Sequence, residues 1–263
     1  MHSILIIGCG SIGERHLRCF QMTERCMVSV CDANAKLLAE VSQRYGAPGF
    51  TSLKEALDGR RFDAFVICTP AHTHLAIARE GAAHGSALLI EKPLAVTLDD
   101  IEITRAAIAD NGRFAAVAYV FHCYPWVTAA RSFLHRGDLG RPLHASIVSG
   151  QHFPTFRPAY REIYYTRHET GGGAIQDALT HLVNVMEWLI GPMTRVFCDA
   201  AHQQLDGVTV EDTVNVTARH GNVLASYAMT QFQAANEAIM ATRLARPVRA
   251  RRCCVLLQAM GRC

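Results

Sequence analysis

No run in this sequence approaches the roughly 18 consecutive apolar residues that cross a membrane. The first apolar stretch is short and ends in glycines, unlike a secretory leader. No Lys/Arg stripe alternates with aromatic residues, and the formal net charge is only +3 with His counted neutral. That is too little to argue for nucleic acid. The ten cysteines are scattered and form no Cys-x-x-Cys pair. They read as reduced thiols of a cytoplasmic protein, not as a disulfide framework. Neither an internal repeat nor a low-complexity linker is visible. What remains is an ordinary globular balance, 50% apolar and 19% charged, over 263 residues. That length suits one large domain or two modest ones.

What is present begins at once. Residues 4–13 read Ile-Leu-Ile-Ile-Gly-Cys-Gly-Ser-Ile-Gly, an apolar run entering a glycine-rich turn. Such a turn carries meaning only between a strand and a helix, and here it sits there. Gly8 suits the tight turn, Gly10 lets backbone approach a pyrophosphate, and Gly13 lets helix pack on strand. The N–H groups of a helix starting near Ser11 and Ile12 would hold the phosphates. Further near-continuous apolar runs occupy residues 27–31, 64–68, 87–90 and 114–119, as in parallel strands buried on both faces. Helical segments are expected between them, at 12–22, 35–45, 52–57, 73–83 and 98–110, with Thr97 marking the last start. The alternation implies a doubly wound parallel sheet, a Rossmann-type α/β domain over residues 1–120.

The rhythm then changes. A helix is expected at 125–135, closed by a turn at 137–140, followed by a strand at 143–148 and a polar, aromatic-rich loop. A long helix at 173–190 leads to strands at 195–203, 208–219 and 223–231. Consecutive strands imply a mostly antiparallel open sheet, giving a second α+β domain over 121–237. Residues 238–263 contain no Asp or Glu but six Arg and three Cys. This ending reads as a solvated basic tail, as an arm for nucleic acid or membrane, or as something other than the ancestral end of the protein.

Asp32 ends the second strand, 19 residues past Gly13. A carboxylate there accepts hydrogen bonds from ribose hydroxyls and repels a 2′-phosphate, favouring NAD over NADP. It would equally cap the following helix. Thr69, Pro70 and His74 follow the next strand, whose carboxyl end faces the ligand crevice. For His74, helix-start packing and cofactor contact stand as alternatives; no third residue joins His72 and His74 to suggest a metal. Glu91-Lys92-Pro93 follows the strand at 87–90, again at a carboxyl end, which places Glu91 and Lys92 beside the cofactor. A lysine partly withdrawn from water is suited to proton traffic. Asp177 and His181 are four apart on the long helix, so they share a face, and the acid can orient the imidazole. The preceding loop gathers His152, Arg157, Tyr160, Arg161, Tyr164, Tyr165 and His168. Such donors suit a polyhydroxyl or carboxylate substrate.

Taken in order, five strings carry a resemblance. They are Gly8-Cys-Gly-Ser-Ile-Gly13, Thr69-Pro-Ala-His-Thr-His74, Glu91-Lys-Pro93, Gly137-Asp-Leu-Gly-Arg-Pro142 and Gly171-Gly-Gly-Ala-Ile-Gln-Asp-Ala-Leu-Thr-His181. The chain resembles the Gfo/Idh/MocA oxidoreductases over about residues 3–235. The resemblance implies a nicotinamide cofactor, a sugar or cyclitol substrate, and oligomer contacts through the C-terminal sheet. It implies that Lys92 lies near the reacting carbinol, with Asp177 and His181 as the helix pair and His181 as proton acceptor. Ala71, Ala87 and His122 depart from residues frequent in the family; His122 stands where arginine is common, in the substrate region. The family's regulators that bind NAD(P) without catalysis supply the alternative function. Because members continue past this ending, a truncated or frameshifted member with an exposed sheet edge is expected.

Overall fold

The computed structural model describes residues 1–137, 140–244 and 254–260. The centre of the turn expected at 137–140 and residues 245–253 and 261–263 of the Arg/Cys-rich ending lie outside the described residues. The chain divides into two compact units, Met1–Ala118 and Tyr119–Cys263.

In the first unit, strands β1 (His2–Ile7), β2 (Cys26–Cys31), β3 (Gly49–Phe50), β4 (Ala64–Ile67), β5 (Ala87–Ile90) and β6 (Ala115–Val117) alternate with helices. The helices are α1 (Ser11–Met22), α2 (Ala35–Tyr45), α3 (Leu53–Leu57), α4 (His74–Ala83) and α5 (Ile101–Asn111). All strands run parallel in the order β3-β2-β1-β4-β5-β6. Successive side chains of one strand point to opposite faces, so an unbroken apolar run feeds two cores. Ile4 and Ile6 join one cluster with Leu17, Val30 and Leu38. Leu5 and Ile7 join another with Phe65, Ile67 and Leu88. The strand order reverses between β1 and β4, which places the ligand crevice at the ends of those strands.

Local signals set most helix ends. Asn34 caps α2 by accepting from the Leu37 N–H at 3.2 Å, and Gly46, at φ +63°, closes it. At α5 the structure departs from the expected start at Thr97. The Thr97 hydroxyl instead accepts from the Asp99 N–H at 3.3 Å, and the helix begins at Ile101. A hydroxyl spent on a local turn is withdrawn from capping.

The second unit contains α6 (Pro125–Arg136), β7 (Pro142–His152), a one-turn α7 (Phe153–Phe156) and α8 (Thr180–Ile190), which is preceded by a π-turn at Ile175–Leu179. Strands β8 (Arg195–Ala201), β9 (Thr213–His220), β10 (Val223–Thr230), β11 (Phe232–Leu244) and β12 (Cys254–Met260) follow. The sheet order is β12-β11-β7-β10-β9-β8. Only the β7–β10 pair is parallel; the other pairs are antiparallel. On β9 and β10 Val214, Val216, Ala225 and Tyr227 alternate inward and meet Val127 and Leu134 of α6 and Leu182, Val185 and Met186 of α8. The opposite face of the sheet is open and carries exposed Val148 and Phe197.

Two differences from the sequence expectation stand out. The strand expected from residue 208 begins only at Thr213, because Val208 and Val210 are drawn into a separate small core with Phe153, Tyr160, Tyr165 and Leu205. Strands β11 and β12 were not expected. The run from Cys254 to Met260 is apolar enough for a strand, but its arginine-rich approach masks it.

Asp212, fully buried, holds the loop before β9. Its oxygens accept from the N–H groups of Gln203 (3.0 Å), Gln204 (2.8 Å) and Leu205 (2.8 Å) and from the Thr213 hydroxyl (2.9 Å). Burial pushes its carboxyl upward, but the backbone N–H groups of Leu205, Gln204 and Gln203 and the Thr213 hydroxyl outweigh that and hold it below its ordinary value. A carboxyl depressed in the folded state stabilises above the unfolded value near 3.9 and loses that contribution as pH falls through the folded value. Asp212→Asn is therefore expected to cost about 2–3 kcal/mol at neutral pH. The difference from wild type should shrink toward pH ~3; urea unfolding at both pH values measures it.

Candidate active site

The glycine turn is sterically enforced. Gly8 has φ +97°, and a Cβ there would meet the Cys68 carbonyl oxygen at 2.7 Å. At Gly13 a Cβ would fall 1.8 Å from the Gly8 carbonyl oxygen, so α1 crosses the turn at backbone distance. Gly10 differs: nothing lies within 4 Å of its would-be Cβ. Space beside Gly10, at the start of α1, is space for a ligand. The first N–H groups of α1, at Ser11, Ile12 and Gly13, have no acceptor within the helix and are aimed at that end.

Asp32 is fixed across this turn. One oxygen accepts from the Cys9 N–H at 2.7 Å and the other from the Asn34 N–H at 2.8 Å. It does not cap α2; Asn34 does. Each carboxylate oxygen has a further lone pair, so ribose hydroxyls still find acceptors. A glycine turn open at Gly10, helix N–H groups at the start of α1 and a fixed acid at the end of β2 fit an adenine dinucleotide.

Beyond β4, Thr69 and Thr73 share a hydroxyl–hydroxyl hydrogen bond of 2.6 Å. His74 is buried, its Nδ1 lying 2.9 Å from the Pro93 carbonyl and its Nε2 2.8 Å from the Thr69 carbonyl. The imidazole ties the Thr69 turn to the Lys92-Pro93 turn, and both ring nitrogens are occupied by protein. Burial holds it below its ordinary value, against the opposing pull of the two carbonyls. Glu91 accepts from the Lys92 N–H at 3.1 Å and lies 2.8 Å from His16 Nε2 on α1. Burial raises its carboxyl, but His16 and the Lys92 N–H bring it below the ordinary range. Lys92 is half-buried at the turn after β5, and its bond to Pro93 is cis.

In the second unit Asp177 sits in the π-turn that opens α8 and is 7% exposed. Such turns recur at functional sites. The Tyr164 hydroxyl donates to one carboxylate oxygen at 2.7 Å, and the Gln231 amide approaches the other at 3.5 Å. His181 stands one turn on, its ring edge-on to Tyr119 at 5.6 Å and tilted against Phe121 at 5.5 Å. Glu211 fixes the start of this helix. It accepts from the Ile175 N–H at 2.8 Å and reaches His168 Nε2 at 2.6 Å. A Cβ at Gly173, where φ is +88°, would meet that carboxylate at 2.5 Å. The last glycine of the triplet is thus required by the acid lying over it. Tyr119, Phe121, Glu211 and Gln231 carry no motif of their own.

The candidates for substrate contact separate. Tyr164 serves Asp177. Tyr160 is 1% exposed, and its hydroxyl donates to the Asp206 carbonyl at 2.7 Å, so it is a core residue. Arg161 lies over the Tyr160 ring at 5.1 Å and donates to the same carbonyl at 2.7 Å. Arg157 is exposed. His122 stacks on Trp188 at 4.6 Å, and burial lowers its imidazole.

Two family models match in order along the chain. One, described as an oxidoreductase family with an NAD-binding Rossmann fold, covers residues 2–119. The other, the Gfo/Idh/MocA C-terminal domain, covers residues 127–249. Levoglucosan dehydrogenase of Pseudarthrobacter phenanthrenivorans is 27% identical over 168 residues, 64% of this chain and 43% of that protein. Inositol 2-dehydrogenase of Burkholderia vietnamiensis is 27% identical over 191 residues, 71% of this chain and 53% of that protein. The chain thus spans about half the length of the curated relatives it matches. The WlbA dehydrogenase from Bordetella pertussis, solved with NADH and UDP-GlcNAcA, shares the fold with a TM-score of 0.83 at 24% identity, covering 92% of this chain and 76% of that one. With both domains matched, the chain belongs to the Gfo/Idh/MocA oxidoreductase family, and its first unit is that family's NAD-binding Rossmann fold.

Proposed function

We propose that the chain acts as an NAD-dependent oxidoreductase that moves a hydride between the nicotinamide and a carbinol carbon of a sugar, sugar acid or cyclitol. One observation carries the reading beyond cofactor binding. A buried carboxylate, bonded by protein donors, stands one helical turn from an imidazole wedged between two aromatic rings. Groups held at that expense of desolvation are fitted to proton transfer. NAD, when bound, takes up or returns the hydride. In the oxidative direction His181 accepts the hydroxyl proton as the carbinol becomes a carbonyl. Lys92 stabilises negative charge developing on the substrate oxygen. Asp177 orients the imidazole or the substrate. The relatives acting on levoglucosan and inositol support the substrate class. Asp32 supports NAD over NADP, since a fixed carboxylate repels a 2′-phosphate.

The open sheet face, with Phe197 67% and Val148 49% exposed, supports a homo-oligomer formed through this sheet. The cytoplasm is the compartment in which buried free thiols such as Cys9 and Cys31 persist.

His181→Asn is expected to lower turnover on a panel of sugars, inositols and sugar acids by about 10²–10⁴-fold. Lys92→Ala should also abolish most turnover, and His181→Asn should leave NAD binding measured by calorimetry unchanged. NAD binding by the wild type with no turnover across the panel would favour the non-catalytic reading instead. Gly10→Ala should leave the melting temperature of the free protein unchanged and weaken NAD about tenfold or more, some 1.4 kcal/mol. Gly13→Ala should lower the melting temperature itself. Light scattering should find an oligomer that Phe197→Asp reduces in size; a monomeric wild type would sink the assembly.

A further inference from the structure

Gln231 follows β10 and is buried, 1% exposed. Its backbone is fixed on both sides: its N–H donates to the Asp212 carbonyl at 2.9 Å, and its carbonyl accepts from the Phe153 N–H at 2.8 Å. A buried amide in so rigid a place has a definite orientation, which its neighbours decide. Tyr165, also 1% exposed, points its hydroxyl at Gln231 Oε1. Burial and the carboxylates of Asp177, Glu211 and Asp212 hold that phenol strongly upward, so it stays protonated; its hydroxyl also lies 3.4 Å from the Glu211 carbonyl. The amide oxygen accepts from this hydroxyl, and Nε2 faces the other way. There it meets Asp177 Oδ2 at 3.5 Å.

We infer that Gln231 is a positioning residue for Asp177: oriented by the Tyr165 hydroxyl, its amide N–H favours the ionised carboxylate and fixes the plane in which it lies. The inference deepens the proposed role of Asp177 and rests on it. A donor hydrogen-bonded to the charged form stabilises that form. Two oxygens held by two different donors, Tyr164 and Gln231, cannot rotate freely. Other ionisable groups of this region come from three places. Tyr164 and Tyr165 lie on the preceding loop, and Glu211 and Asp212 on the turn before β9, with His168 on Glu211. His181 is on Asp177's own helix. Neighbouring acids oppose ionisation of a carboxyl, and hydrogen-bond donors favour it.

The test reads the carboxyl itself and needs no substrate. In the full chain labelled with ¹³C at the aspartate carboxyl carbons, Asp177→Asn identifies the Asp177 resonance, and its titration is followed by NMR. Gln231→Met should move the titration midpoint up by about one pH unit, as expected for loss of one hydrogen bond to a charged group. Tyr165→Phe, which keeps the ring and removes only the hydroxyl that orients the amide, should move it in the same direction by less. A merely structural Gln231 would lower the melting temperature without moving this midpoint. A midpoint unchanged in both variants overturns the inference; if Gln231→Met fails to fold, Tyr165→Phe decides alone. Asp177→Asn that retains full turnover would instead sink the role given to Asp177, and the carboxyl titration would still decide on Gln231.

Discussion

A carboxylate removed from water must be solvated by protein, and the irregular half of the second unit is organised around meeting that demand. Asp177 lies in a turn wider than an α-helix, entered through three glycines. Its donors come from a loop 13 residues before it and a strand end 54 residues after it. The turn itself is held by a second acid, Glu211, whose carboxylate occupies the place where a side chain at residue 173 would be. Asp212, beside it in sequence, satisfies three backbone N–H groups of the neighbouring loop. Three buried acids are thus each bonded separately. Mutual repulsion is offset by donors specific to each.

The first unit rests on a different constraint, closeness of backbone. Gly8 lies against the backbone of Cys68, and Gly13 against the carbonyl of Gly8, so β1, β4 and α1 meet with no side chain between them. Asp32 then ties the second strand to the same turn. The result is a floor of N–H groups with one open position, at Gly10. His74 performs a comparable service deeper in the unit, joining the turns after β4 and β5 through its two ring nitrogens.

The parts legible in the sequence were those whose causes are local. The glycine turn and the apolar strands around it follow from φ angles and periodicity within a few residues. Lys92, Asp177 and His181 stood out because motif spacing and residue chemistry coincide. Gln231 and Glu211 could not stand out, since their partners at Asp177 and Ile175 are dozens of residues away and nothing in a single sequence pairs them. Tyr160 looked like a ligand contact because aromatic and basic residues cluster around it; only the fold shows its hydroxyl spent on the Asp206 carbonyl. His74 was left between two readings because spacing alone does not reveal the two carbonyls. Strand β12 was hidden by composition, its apolar run following a stretch whose arginines argue for solvent.

The parallel pairing of β7 with β10 has a consequence for how the second sheet assembles. His144 lies beside Leu224, and Ile147 beside Met240, so the central strand has neighbours only from much later in the chain. As the polypeptide is made, β7 emerges after α6 with no strand to bond, and α8 follows before any partner exists. Its ladder closes only after the loop carrying Tyr164 and the helix carrying Asp177 have been threaded into place. Loop closure over such distances is slow relative to local contacts. An apolar strand waiting for its partners is the stage at which a nascent chain is most open to association with others.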